Sequence, residues 1–204
     1  MKRFLFVIIL IFISNPCFAL VKIDNESVDL AIKYGIKSKG LLKEDLLGAN
    51  LINDNSERIL SIYSPFIQIA VKSSAQNTSD NLDNDVKNAR ECLKTTISRI
   101  KEKNEIRFIV EMYGDKEDFA QNYTALISRD ESLSKKNNKI YKPRKSSTQK
   151  IASRDGFNPL HPYSAFNCYI FSFEDLFSLK DYYLFLVSKS VETYKFRINN
   201  DNIF

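Results

Sequence analysis

At 204 residues, with a formal charge of +5 and 44% hydrophobic residues, the chain can bury a core of ordinary size, which excludes a disordered polyelectrolyte. Three cysteines and one histidine exclude a disulfide-dense scaffold and a zinc site built from nitrogen and sulfur ligands. Five scattered glycines, Gly35, Gly40, Gly48, Gly114 and Gly156, supply neither a phosphate-binding loop nor a serine-hydrolase elbow, so no cofactor is expected.

Residues 1–19 read as a secretory signal peptide. Lys2 and Arg3 form a positive start, Phe4 to Ile13 is an uncharged apolar run, and Asn15-Pro16 precedes the small-residue cut site Cys17-Phe18-Ala19. The run is about half the length a membrane span needs. Pro16 before Cys17 fits a lipidation site poorly. The expectation is cleavage after Ala19 and a periplasmic or secreted mature chain, with the charge reduced from +5 to +3 by loss of Lys2 and Arg3. Abundant Lys, Asn and Ile fit the codon drift of an AT-rich, bacterial genome.

From 20 to 104 the pattern is mainly helical. Leu30, Ala31 and Tyr34 suit a helix capped by Ser27 and stopped near Gly40, although alternation of Val28, Leu30, Ile32, Tyr34 and Ile36 suits a strand equally. Leu41 to Leu47 reads as a short helix ended by Gly48, and Asn53 to Ser56 as a turn. Ile59 to Tyr63 is a short extended piece, and Pro65 opens a helix to about Ala75. The clearest element is one amphipathic helix, capped by Asp80 and ending near Lys103, with Leu82, Val86, Ala89, Leu93, Ile97 and Ile100 as its apolar stripe. Its charged outer face, including Arg90, Lys94 and Arg99, reads as solvated.

From 105 to 204 the pattern turns to strands. Ile106, Phe108, Val110 and Met112 alternate with Arg107, Glu111 and Tyr113 in a half-buried strand stopped by Gly114. A helical turn over Asp115 to Phe119 and a strand through Tyr123, Ala125 and Ile127 follow. Tyr163 to Phe173, Tyr182 to Val187 and Thr193 to Ile198 read as three successive strands of a meander, whose crowded aromatics are core. The expected fold class is α+β: N-terminal helices with a C-terminal antiparallel β-sheet, sandwich-like in arrangement.

The segment at about 130–156 is rich in cations and poor in apolar groups. Lys135, Lys136, Lys139, Lys142, Arg144, Lys145, Lys150 and Arg154 occur there without an acid after Ser132 and before Asp155, which predicts a mobile, solvated loop and makes these eight residues the candidate anion-binding set. Cys92 and Cys168 survive leader removal and are the candidate disulfide. His161 lacks a recognisable catalytic partner, and Asp80, Asp83 and Asp85 lack the central glycine and final glutamate of a calcium loop. No catalytic or metal site is read. The functional expectation is a non-enzymatic binding or interaction protein of the cell envelope, whose partner is another envelope protein or an anionic surface, not nucleic acid. The alternative is an envelope hydrolase with a carboxylate pair, which leaves little trace in sequence.

Overall fold

The first helix, α1 (Asn25–Lys37), starts ahead of the expected Ser27 cap. Asp24 is the cap: its side chain accepts the Ser27 amide at 2.8 Å, and the Ser27 hydroxyl accepts the Asp24 amide at 2.8 Å. Ser27 is thus the third helical residue of a capping box. Val28, Ala31, Ile32, Gly35 and Ile36 are buried at helical spacing, which decides against the strand. The computed structural model describes residues 20, 22–53, 58–79, 81–154, 161–188 and 193–203; the expected leader, the Asp80 cap and most of the turn after Asn53 lie outside them. No helix among the described residues is long and apolar enough to cross a membrane.

Helix α2 (Lys43–Leu47) ends at Gly48, where φ is +48°, a left-handed value that glycine adopts without a Cβ clash. Strands β1 (Leu51–Asn53) and β2 (Arg58–Tyr63) follow. The extended piece feeds α3 (Pro65–Ser74) as the Ser64-Pro65 pair requires: Ser64 is the cap, its hydroxyl accepting the Ile67 amide at 3.3 Å, and proline occupies the first helical position. The single long helix expected next is two, α4 (Leu82–Cys92) and α5 (Lys94–Lys103), with Asn81 as the cap of α4. Leu93 leaves helical geometry at φ −95° and ψ 3°, yet its amide still reaches the Ala89 carbonyl. The apolar stripe therefore continues through the break, with Ala89, Leu93 and Ile97 buried and Leu82, Val86 and Ile100 packed beside them.

Two antiparallel sheets complete the chain. The first runs β1-β2-β3-β8-β6, where β3 is Glu105–Gly114, β8 is Tyr163–Ser172 and β6 is Lys145–Ser147; β7 (Ser153–Arg154) also pairs with β8. The second runs β10-β9-β4-β5, comprising Thr193–Asn199, Asp181–Ser188, Tyr123–Ser128 and Ile140–Tyr141. Leu60, Phe108, Val110, Tyr169 and Phe171 from the first sheet meet Ile127, Leu184, Leu186, Phe196 and Ile198 from the second in one buried cluster. The fold is α+β, with N-terminal helices and a sandwich-like pair of sheets.

Two expectations are corrected here. The last three long strands are not a meander: β8 pairs with β3, whereas β9 pairs with β10 and β4 in the other sheet. The chain between β8 and β9 is helix α6 (Phe173–Phe177), whose Phe173 and Leu176 are buried and turn the chain from one sheet to the other. Asn200 pins this corner, its side-chain amide donating to the Leu176 carbonyl at 2.9 Å and also to that of Leu179. The basic segment, expected as a mobile loop, carries β5, β6 and β7, which take their partners from the edges of β4 and β8. Composition reports what a segment can bury alone. It is silent about strand edges supplied from elsewhere in the chain.

The Tyr182 hydroxyl lies in the sandwich core with no hydrogen-bond partner among the described residues, and burial pushes its pKa far above the ordinary tyrosine value. Tyr182→Phe removes a desolvated, unpaired group and should raise unfolding stability by about 1 kcal/mol in chemical denaturation. A loss of stability of that size would show that the hydroxyl has a partner.

Candidate functional site

Alternation along β3 fills the sandwich with Ile106, Phe108, Val110 and Met112, and so turns Glu105, Arg107, Ile109 and Glu111 to the opposite face. Residues directly opposite across antiparallel strands share a face. Tyr63 of β2, Arg107 of β3, Ile170 of β8 and Lys145 of β6 therefore form one row on this outer face, and Ser61, Ile109, Cys168 and Ser147 form the next.

Helices α3 and α5 stand over the β2–β3 half of that face and leave a cleft of about 410 Å³. Gln68 fixes the position of α3, because its side-chain amide donates to the Tyr63 carbonyl at 3.2 Å and the Glu105 carbonyl at 3.0 Å. One turn on, α3 contributes Val71 and Lys72, and α5 contributes Thr96, Arg99, Ile100 and Lys103. The walls thus combine an apolar surface from Tyr63, Val71, Ile100 and Ile109 with four cations, Lys72, Arg99, Lys103 and Arg107. Glu105 is the one carboxylate among the described lining residues.

These four cations make no ion pair with a carboxylate among the described residues. Arg107 carries the sharpest imbalance: its Nε is buried and has no hydrogen-bond partner there. A guanidinium N–H taken out of water without an acceptor is costly, so this geometry favours an incoming anion. Beside it, burial pushes the Cys168 thiol up, with the Arg107 charge pulling it down and the Glu105 charge pushing it further up. Cys168 is a neutral, weakly polar surface here and not an activated nucleophile.

The eight cations of the basic segment do not converge on one patch. Lys135 pairs with Asp130, Lys139 holds its ammonium 4.8 Å from the centre of the Tyr141 ring, and Lys136, Lys142, Lys150 and Arg154 stand exposed. Arg144 donates to the Ser172 hydroxyl at 2.7 Å, and Lys145 occupies the row that contains Arg107. Those two lie at the Ile170–Ser172 end of β8, whereas Arg154 pairs with Tyr163 at its other end and Lys150 follows Gln149, whose side chain accepts the Phe166 amide at 3.0 Å. Cys92 and Cys168 are free thiols: Cys92 is exposed at the end of α4 in the helical layer, whereas Cys168 lies in mid-strand in β8. The expected bridge between them is not formed.

His161 places Nδ1 2.8 Å from the Asp115 carboxylate, holding the approach to β8 against the turn after β3. Asp85 is buried and accepts both the Ser79 amide and the Ser79 hydroxyl at 2.8 Å, so it braces the start of α4. Among the described residues no group of three His, Cys, Asp or Glu could hold a metal ion.

Sequence reasoning missed the cleft because its cations come from three elements. Arg99 looked like the solvated face of a helix and Arg107 like the solvent side of a strand. The signal was present in the spacing Arg99, Lys103, Arg107, which carries one positive stripe out of α5 and into β3. Comparison with models of known protein families and with curated proteins found no match for this chain.

Proposed function

We propose that this is an exported protein that binds an anionic ligand in the cleft between the helical layer and the first sheet, without transforming it. The observation that carries the proposal is the net positive charge, four cations against the single acid Glu105, set in an apolar wall, above all the buried Nε of Arg107, which has no hydrogen-bond partner among the described residues. A carboxylate-dependent hydrolase needs two facing acids, and Glu105 stands alone among the described lining residues. Export rests on the signal-like pattern of residues 1–19, and the natural partner on this reading is an anionic component of the cell envelope.

Binding is tested by calorimetry with hexyl phosphate as probe. Arg107→Met should weaken binding at least about tenfold, the effect of losing one charged hydrogen-bonding partner, and added salt should weaken wild-type binding. Arg197→Met, which removes a surface arginine within reach of Asp181 and remote from the cleft, should leave it unchanged. Equal binding by wild type and Arg107→Met would overturn the cleft as the site. Mass spectrometry of protein from its natural host should find Leu20 at the N-terminus, and intact Met1 would overturn export.

A further inference from the structure

The outer face of the first sheet continues past the cleft, and its character changes along the strands. At the Arg107 row it is cationic. Two residues on lie Ile109 and Cys168, and two further on lies Phe166, which is 49% exposed on a strand whose other aromatic residues, Tyr163, Tyr169 and Phe171, are more covered. Ile170, Cys168 and Phe166 therefore make a strip along β8 that carries no charge, about 13 Å long from the Arg107 row to the Phe166 row. An exposed apolar strip joined to a charged pocket is the surface complement of a molecule with an anionic head and an apolar tail.

Charge also sets the direction. Glu111 sits opposite Phe166, where its carboxylate accepts the Tyr113 hydroxyl at 2.9 Å, so the far end of the strip sets an acid beside the exposed Lys150, whereas the Arg107 end gathers four cations and is the end that attracts an anionic head. A compact anion would leave the strip unused, and a polyanion would meet Glu111. We infer that the ligand is a single-chain anionic amphiphile, its head held in the cleft at Arg107 and its alkyl chain laid along β8 over Ile170, Cys168 and Phe166. This rests on the cleft being an anion site, and it commits to one free molecule, not a bilayer surface.

The experiment is a chain-length series of butyl, octyl and dodecyl phosphate, each below its micelle concentration, titrated into the full mature chain. A methylene fully removed from water is worth about fourfold in affinity, so a chain half-covered on an open strip should gain about twofold per methylene from butyl to octyl. Phe166→Ser, a change at an exposed position that leaves the core intact, should flatten that gain while leaving butyl phosphate binding unchanged. Equal affinity for butyl and dodecyl phosphate, or a chain-length gain untouched in Phe166→Ser, overturns the amphiphile while leaving the anion cleft standing. Failure of every alkyl phosphate to bind overturns the cleft itself. Flotation with phosphatidylglycerol vesicles is the last arm: the protein should stay with the free fraction, and co-flotation lost in Phe166→Ser would replace the single molecule with a membrane.

Discussion

Replacing Asn167 with leucine should destabilise the protein by about 3 kcal/mol, measured by chemical denaturation. Asn167 is fully buried in β8 and serves three neighbours at once. Its amide donates to the Ala120 carbonyl at 2.9 Å and to the Tyr169 hydroxyl at 3.1 Å, and its oxygen accepts the Gln149 amide at 2.9 Å. Leucine has similar volume and would leave the Ala120 carbonyl and the Gln149 amide without partners, each costing about 1–3 kcal/mol. Tyr169 belongs to the same network: burial pushes its pKa up to about 12, and its hydroxyl donates to the Tyr123 carbonyl at 3.2 Å. Tyr169→Phe should cost less, about 1–2 kcal/mol, because the Tyr123 carbonyl and one Asn167 N–H lose their partner while Asn167 keeps its bonds to Ala120 and Gln149 and the ring stays. If Asn167→Leu proves as mild as Tyr169→Phe, the network does not hold the basic segment to the sheet.

Gly35→Ala should be comparably severe, by about 3 kcal/mol, through overpacking and not through a lost bond. Helices α1 and α3 approach so closely at this point that an added Cβ would lie 2.1 Å from the Ala70 carbonyl oxygen and 2.9 Å from the Ser73 Cβ. The nearest atom is backbone, so no rotamer change relieves the clash and the helices must separate. Alanine ordinarily favours a helix over glycine by about 1 kcal/mol, which makes the sign of the outcome decisive. A neutral or stabilised Gly35→Ala protein would show that the two helices are free to move apart.

Local patterns were the legible part of this fold. The stripe from Leu82 to Ile100 enters the helical core as its spacing requires, and the alternation from Ile106 to Met112 fills the sandwich. Ser64-Pro65 marks the change from strand to helix at the right residue because both effects act on neighbouring backbone. What depends on distant partners was illegible. Tyr163 to Phe173 and Tyr182 to Val187 look alike in sequence, and only α6, folded into the core by Phe173 and Leu176, sends them to different sheets. The same holds for Lys145, whose strand exists because β8 offers it an edge, and for Arg107, whose meaning comes from Lys72 and Arg99 brought over it by two helices.

Among the described residues the apolar core forms two separate clusters, one within the sandwich and one among α1 to α5. Such a chain has a fault line, because each layer keeps its own apolar interior and the helical one can loosen by a sub-global opening that spares the sheets. The Arg107 cleft lies along that line. A ligand bound there would touch both layers and, by binding only the closed arrangement, would stabilise the helical layer against that opening.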